Sequence, residues 1–345
     1  MEELTERQRS ILALIVQEYV KLARPVGSEY LVEHFHLMMS PATVRNEMVT
    51  LTDMGYLRQP HTSAGREPTE EGYRYFVGRL LHETSLPDST QRTINHQFYQ
   101  MRFEVDQWMK LAASVLAQQS KAASLVTAPR PAKVTLKHLE LVATRGSQVL
   151  MVLVLRGGEL HQRLITLREP VPQEILSELA EHFNAAFQSM DWKIIHERQS
   201  ELSDFEAEVA GELVDLMRQI DQVAAGEVYV DGLTNVLAEP EFIGSEQALQ
   251  VIRLIEEKSL IQELMARDDL LGPNIGNVQV LIGGEGKWEA LRDWSLILAR
   301  YGTPGQALGA LGVIGPVRMY YGRGISVVRF LSGLLSDLIT ETIAE

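Results

Sequence analysis

The N-terminal end of the chain carries several helix-start signals, which divide it into separate helices. Thr5 begins a capping box that predicts a first helix, and Ser28 is expected to cap a short second one. Ser40 followed by Pro41 predicts a sharp start to a third helix. Gly55 then favours the left-handed conformation that ends a helix. Three helices with a tight connection between the second and third are typical of a helix-turn-helix arrangement.

The third predicted helix has an apolar face and a polar face. Val44, Met48 and Leu51 share the apolar face, which we expect to pack inward. Recognition helices contact base edges from their N-terminal residues, where Asn and Arg can form paired hydrogen bonds to adenine or guanine. A solvated helix face is the alternative interpretation. The candidate DNA-binding residues of this helix are Ser40, Thr43, Arg45, Asn46 and Thr50.

A predicted strand and a polar loop follow the third helix directly. Residues 56–58 have strand composition, residues 60–68 are rich in turn-forming residues, and Thr69 caps another helix. A strand and polar loop in this position are expected for the wing of a winged-helix domain, which can contact phosphates or the minor groove. An ordinary surface loop is the alternative. The candidate DNA-binding residues of the loop are His61, Thr62, Ser63, Gly65 and Arg66.

The middle of the chain changes from helical to strand patterns. A linker is predicted at residues 83–93. Beyond it, apolar residues between 94 and 115 have the spacing of one apolar seam along a helix, which packs within its own domain or pairs with a twin helix. This helix is expected to end before Pro129. The apolar run at residues 150–155 predicts the buried middle strand of an antiparallel meander. Two helices are predicted to follow, at residues 173–188 and 204–224.

The last third of the chain mixes predicted strands and helices, which is typical of an α/β sensor-like module. A final helix starting near Gly324 presents apolar residues on one face. The predicted strands lie at residues 228–230, 278–282, 294–301 and 307–314, and a further helix lies at residues 245–267.

The charge of the chain is unevenly distributed. The formal net charge is −14, which argues against a nucleic-acid partner because phosphates attract basic surfaces. Residues 1–80, however, carry 9 basic and 11 acidic side chains, a net charge of −2, so that −12 belongs to the rest. Acidity of the whole chain therefore does not exclude DNA binding by the N-terminal segment. It predicts weak non-specific binding instead.

Several protein classes are disfavoured by what the sequence lacks. The absence of cysteine excludes disulfides, thiolate nucleophiles and Cys-ligated zinc. No phosphate-loop, metal-ligand or hydrolase motif is complete, and residues 283–286 fit a hairpin turn better than a nucleotide loop. We therefore predict a non-enzyme without a metal or known cofactor. Because no leader and no run of ~18 apolar residues occur, we expect a soluble, cytoplasmic protein.

Two long motifs make the sequence resemble a known family. The first combines residues 40–48 (SPATVRNEM), 60–66 (PHTSAGR) and 72–74 (GYR), and the second is residues 312–319 (GVIGPVRM). Together they resemble the heat-inducible transcription repressor HrcA family across essentially the whole chain. Glu67, where the family usually has an apolar residue, would place an acid near the DNA phosphates. Tyr320-Tyr321 and Gly284-Glu285-Gly286 are further departures.

The resemblance implies a multidomain α+β fold with three parts. These are a winged helix-turn-helix domain (1–82), a GAF-like α/β domain (94–132 and 227–345) and an inserted three-stranded antiparallel sheet with helices for dimerisation (133–226). It also implies a homodimeric repressor that binds double-stranded DNA at an inverted-repeat operator ahead of chaperone genes, with the chaperonin as modulator. The alternative is a winged-helix repressor gated by a small ligand in the GAF-like domain.

Overall fold

The chain has a mixed α+β fold and divides into two compact units. The first unit comprises residues 1–128, 227–301 and 310–345, and the second comprises residues 129–226 and 302–309. None of the described helices is long and apolar enough to cross a membrane. The computed structural model describes residues 3–61, 64–81, 85–101, 104–131, 134–156, 158–222, 227–242, 275–283, 291–304 and 306–344.

The first unit begins with three helices followed by a small two-stranded sheet. The capping box that begins α1 is present, with Gln8 N donating to Thr5 Oγ1 at 3.3 Å. Gly55 has the predicted left-handed conformation, with φ of 84°. The second strand of the sheet, β2, was not predicted. The elements are α1 (Glu6–Leu22), α2 (Ser28–Phe35), α3 (Pro41–Asp53), β1 (Leu57–Arg58), β2 (Glu67–Pro68) and α4 (Glu70–Tyr75), which continues as a π-helical turn (Phe76–Leu80).

The predicted role of Ser28 as a helix cap is wrong. Gly27 occupies the cap position of α2, and its carbonyl accepts a hydrogen bond from Leu31 N at 3.1 Å. Val26 pairs through its backbone with Arg66, which holds the chain extended up to Gly27. The helix therefore starts one residue earlier than the Ser28 cap would require.

The predicted seam at residues 94–115 is broken into two helices, α5 (Asp88–Gln100) and α6 (Val105–Ser120). Met101 leaves the helical conformation, and its carbonyl accepts a hydrogen bond from Trp108 Nε1 at 3.0 Å. Each helix buries its own part of the seam, so the regular spacing of apolar residues gave no sign of the break. Because α5 begins at Asp88, the predicted linker at residues 83–93 is wrong from that residue onward.

The larger sheet of the first unit lies beyond these helices and has the strand order β8–β3–β11–β10–β9 among the described residues. The predicted strands at residues 228–230, 278–282, 294–301 and 307–314 are confirmed. The strand β3, which follows α6 directly, was not predicted. The elements are β3 (Ala123–Thr127), β8 (Val228–Asp231), α10 (Leu233–Leu237), β9 (Val278–Ile282), β10 (Trp294–Thr303), β11 (Ala307–Pro316) and α11 (Tyr321–Ala344). The helix predicted at 245–267 lies outside the described residues, and so do residues 284–286 of the turn predicted at 283–286.

The second unit is a three-stranded antiparallel sheet covered by helices on one side. The predicted middle strand is confirmed, since β6 pairs with both neighbours and buries Val149, Met151 and Leu153 against the helices. The short strand β4 (Arg130–Pro131) pairs with the start of β11. The other elements are β5 (Leu136–Ala143), β6 (Gln148–Leu155), β7 (Leu160–Thr166), α7 (Gln173–Phe187), α8 (Trp192–Arg198) and α9 (Asp204–Gln222), of which α8 was not predicted.

Candidate nucleic-acid interface

Helix α3 is held by its cap and by its apolar face. Ser40 caps the helix, with its Oγ accepting a hydrogen bond from Thr43 N at 3.1 Å, and Pro41 is the first helical residue. Val44, Met48 and Leu51 are buried, as predicted. The opposite face of α3 is consequently turned away from the core of the N-terminal helices.

Arg45 and Asn46 are the polar side chains that this face leaves available. Both are exposed, and neither side chain makes a hydrogen bond within the described part of the chain. Thr50 is also exposed, but its hydroxyl donates to the Asn46 carbonyl at 3.2 Å. The hydroxyls of Ser40 and Thr43 lie 2.9 Å apart and bond to each other. Arg45 and Asn46 can therefore bind a ligand without breaking an internal hydrogen bond.

The loop between β1 and β2 is anchored on the start of α2. Val26 and Arg66 exchange two backbone hydrogen bonds of 2.9 Å. Gly65 passes so close to this pairing that a Cβ atom there would lie 2.2 Å from the Val26 carbonyl oxygen, so only glycine fits without a shift. His61 is exposed, and its carbonyl accepts a hydrogen bond from Ala64 N at 2.8 Å. Thr62 and Ser63 lie outside the described residues.

Arg66 connects the loop to the C-terminal half of α3. Its Nε donates to Thr52 Oγ1 at 3.0 Å, and the side chain is partly buried. Thr52 in turn donates to the Met48 carbonyl at 2.7 Å, and this bond fixes the orientation of the hydroxyl that accepts from Arg66. The predicted wing arginine is therefore already in contact with the predicted recognition helix.

A cleft of about 440 Å³ separates α3 from the loop. Its walls include Arg45 and Val49 on the helix and Gln59, Gly65 and Arg66 on the loop side. Glu29 at the start of α2 is an acidic residue on its wall. Of the candidate DNA-binding residues, Arg45 on the helix and Gly65 and Arg66 on the loop line this concave surface. Among the other described candidates, none lines it; these are Ser40, Thr43, Asn46, Thr50 and His61.

Comparisons with known proteins identify the family. The model of the HrcA protein C-terminal domain matches residues 106–325. The heat-inducible transcription repressor HrcA of Roseiflexus sp. (strain RS-1) is 42% identical over 347 residues, covering 98% of this chain and 95% of the relative. The repressor of the same name from Thermomicrobium roseum is 41% identical over 339 residues, with 98% and 96% covered. The chain belongs to the heat-inducible transcription repressor HrcA family.

A solved structure has the same fold as this HrcA family member. It is a crystal structure described as that of a hypothetical protein, with a TM-score of 0.62 and 22% sequence identity. The match covers 99% of this chain and 100% of the other. At 22% identity the similarity shows the fold alone.

Glu67, one of the expected departures from the HrcA family pattern, does not lie near the outer surface of the loop. It is 7% exposed, and its carboxylate accepts hydrogen bonds from Arg58 Nε at 2.6 Å and Tyr19 Oη at 3.2 Å. Burial and the neighbouring Glu67 carboxylate raise the pKa of Tyr19 to about 12, so the phenol stays a donor. The expectation that Glu67 places an acid near DNA phosphates is wrong, because Arg58 and Tyr19 hold the side chain inside.

Glu47 is a second acidic residue of α3 whose charge is compensated internally. Its carboxylate accepts hydrogen bonds from Arg7 Nη1 at 3.4 Å and Gln8 Nε2 at 3.1 Å. Sequence reasoning missed this contact, although Glu47 lies one position after Asn46 in the HrcA-like motif. The pairing with α1 compensates the charge of Glu47, whereas Arg45 makes no ion pair with any described residue.

Proposed function

We propose that the chain is a homodimeric negative regulator of heat-shock transcription that binds an inverted-repeat operator through a winged helix-turn-helix formed by residues 1–82. The observation that carries the proposal is the pair of exposed, unbonded side chains of Arg45 and Asn46 on a capped helix beside an anchored loop. Family membership supports the transcriptional role. In this role α3 is the recognition helix and the β1–β2 loop is the wing.

Arg45 and Asn46 have side chains suited to read bases in the major groove. A guanidinium can donate two hydrogen bonds to guanine O6 and N7, and an amide can pair with adenine N6 and N7. Ser40, Thr43 and Thr50 flank them, and their hydroxyls suit backbone or base contacts. On the wing, His61, Thr62, Ser63 and Gly65 approach the sugar-phosphate backbone and Arg66 a phosphate.

Operator binding by single variants tests this assignment. Asn46→Ala and Arg45→Ala each remove base contacts and should cost about 1 to 3 kcal/mol of operator affinity, with relaxed specificity at one base position. Footprinting and fluorescence anisotropy on the promoter of the chain's own chaperone operon measure the operator affinity and the base specificity. Arg218→Ala removes the same charge from an exposed site in the second unit and should leave binding unchanged. Equal affinity of all three variants and the parent chain would contradict the assignment.

The homodimer is proposed to form through an inserted domain, residues 133–226, which makes up most of the second unit and interrupts a GAF-like domain. The side of its sheet opposite the helices, which we call the outer face, carries Val142, Leu150, Val152, Val154, Leu160 and Leu164. Leu160 is 63% and Leu164 55% exposed, which is unusual for leucine on a sheet. An apolar sheet face of this kind is suited to pack against the same face of a second copy.

Modulation by the chaperonin is the regulatory part of the proposal. A multidomain chain with long apolar segments exposes them when it folds, which makes it a suitable chaperonin substrate. We expect that chaperonin and nucleotide added to the purified chain after mild heating increase the operator-bound fraction. Gel retardation before and after addition measures it, with heat-inactivated chaperonin as the control. No increase would favour a repressor gated by a small ligand.

A cavity of about 790 Å³ supports this second candidate function. It is lined by the N-terminal segment, with Tyr19 and Tyr73, and by residues of the GAF-like region that include Phe242 and Arg318. Tyr73 is 3% exposed, and its Oη has no hydrogen-bond partner among the described residues. A ligand bound in this cavity would contact the N-terminal segment and the GAF-like region at the same time.

A further inference from the structure

The C-terminal end of α1 carries a carbonyl group that the helix itself does not satisfy. The last four carbonyls of an α-helix lack the usual intrahelical donor, and the negative end of the helix dipole lies there. The Tyr19 carbonyl accepts from Ala23 N at 2.9 Å, whereas the Val20 carbonyl accepts from Arg318 Nη1 at 3.0 Å. Arg318 is 298 residues away in the sequence. A cation from the far end of the chain therefore completes the end of the first helix.

Two carboxylates hold the Arg318 guanidinium in place. Glu241 accepts from Nε and, at 3.0 Å, from Nη2, and Glu239 also accepts from Nη2. The Arg318 side chain is only 8% exposed. Burial by itself would lower the pKa of Arg318, but the hydrogen bonds and charges of Glu241 and Glu239 raise it above the ordinary value. The guanidinium thus stays charged, and its N–H donors point in fixed directions.

The position of Arg318 is set by the larger sheet. It follows Pro316, the last residue of β11, and the turn is closed by a 2.9 Å hydrogen bond from Met319 N to the Pro316 carbonyl. Strand β11 pairs with β3 and lies beside β10. The guanidinium is therefore a short, rigid connection between a central strand and the helix that precedes the helix-turn-helix.

A second contact prevents rotation about the first. Arg74 Nη2 on α4 donates to the Ile282 carbonyl at the end of β9, at 2.9 Å. The Tyr73 and Tyr321 rings lie 5.9 Å apart between centroids in the same region. Two separated contacts restrict the orientation of the N-terminal helices on the larger sheet, whereas a single contact would let the helices rotate about it.

We propose that Arg318 is a positioning residue that fixes the orientation of the N-terminal helices on the larger sheet and thereby sets the half-site spacing that the dimer accepts. This inference rests on the proposed operator binding by a homodimer. With each N-terminal segment held rigidly on its larger sheet, the two recognition helices lose one source of freedom in their separation and relative rotation. DNA half-sites rotate by one turn every 10–10.5 base pairs, so a rigid dimer must discriminate strongly between spacer lengths.

Spacer discrimination tests the proposal. The parent chain, Arg318→Met and Arg318→Lys are each titrated onto a set of DNA duplexes. The set contains the operator with its native spacer, operators with spacers longer by one, two and five base pairs, and a single half-site. Loosening the attachment lowers the effective concentration of the second segment, so Arg318→Met should lose about tenfold in affinity for the native operator. Its single half-site affinity should stay unchanged, and its preference among spacers should shrink. Arg318→Lys keeps the charge without the fork and should give an intermediate preference.

A distance measurement gives the second readout, independent of DNA. Because the chain has no cysteine, Ser10→Cys on α1 and Gly333→Cys on α11 introduce two label sites, both exposed. Pulsed electron paramagnetic resonance should give a narrow distance distribution in the parent chain and a broad one with Arg318→Met. Should Arg318→Met fail to fold, the double variant Glu239→Gln, Glu241→Gln should broaden the distribution in its place.

The outcomes separate the inference from the function on which it rests. An unchanged distance distribution together with unchanged spacer preference would overturn the role of Arg318. A loss of affinity equal on half-site and full operator would also overturn it, because that is the effect of general destabilisation. Failure of the parent chain to bind any operator would instead refute the proposed function, while the distance measurement would still decide whether Arg318 orients the N-terminal helices.

Discussion

Arg66 and Glu67 are adjacent in sequence but have opposite surroundings. Glu67 is buried between Tyr19 and Arg58, whereas Arg66 extends along α3 to Thr52. At the scale of single residues, the candidate interface therefore depends on charges that are compensated inside and on a few that are not.

Arg66 is expected to act both on DNA and on the fold of the wing. Arg66→Ala should weaken operator binding and reduce the slope of log affinity against log salt by about one unit, because one phosphate contact is lost. Thr52→Val removes only the internal acceptor and should weaken binding without changing the slope. Anisotropy titrations at several salt concentrations distinguish the two, and an unchanged slope for Arg66→Ala would rule out the phosphate contact.

Gly65 is expected to tolerate no side chain. In Gly65→Ala the Cβ atom would meet the Val26 carbonyl, so the backbone pairing must shift at a cost of about 1 to 3 kcal/mol in the free energy of unfolding. Gly333→Ala is the matched control, since nothing lies within 4 Å of its Cβ position on α11. The control should be neutral or stabilising. Urea denaturation measures both, and equal stability of the two variants would disprove the close approach.

Glu18 links folding stability to pH. Burial raises its pKa, but hydrogen bonds from Lys21 and Tyr30 outweigh this and hold the pKa below the ordinary value. The carboxylate therefore stabilises the fold above its unfolded pKa, and this contribution is lost as the pH falls through the lowered folded value. Glu18→Gln should be less stable at pH 7 by about 1 to 3 kcal/mol, with the gap closing in acid. Exposed Glu33→Gln should show no such gap in denaturation experiments.

Individual elements differ in how much of their structure is local. Helix α3 could be predicted with its cap and its buried face, because Ser40, Pro41 and Val44 act within one or two turns. Strand β3 could not, because it follows α6 without a turn signal and is defined by its pairing with β11 and β8. The break between α5 and α6 was missed for a related reason, since both helices continue one apolar spacing.

The outer face of the second unit is the element for which association can be tested. Val142, Leu150 and Leu164 form one row across its three strands. Leu164→Lys places a charge in this row and should shift the chain from dimer to monomer in analytical ultracentrifugation. Ile175→Lys makes the same change at an exposed site of α7 and should leave the mass unchanged. A dimeric Leu164→Lys variant would place the interface elsewhere.

For the whole molecule, the charge distribution limits binding to DNA of unrelated sequence. Residues 1–80 carry −2 of the total charge of −14, so most of the repulsion of phosphates comes from the remainder. We expect a non-specific dissociation constant at the weak end of the usual range, about 10⁻⁴ M at physiological salt. Anisotropy with a scrambled duplex of operator length measures it. A value near 10⁻⁶ M would show that the acidic part of the chain does not oppose DNA.

The sequence by itself determined several helix caps, most of the strands of the larger sheet, the family resemblance and the candidate residues of α3. Caps, turns and strand patterns act over a few residues, so Thr5, Ser40 and Thr69 could be assigned directly. Only the tertiary structure decided the direction of Glu67 and the partner of Arg318. Their partners lie 48 and 298 residues away, and the free energy of a buried charge depends on what surrounds it in space.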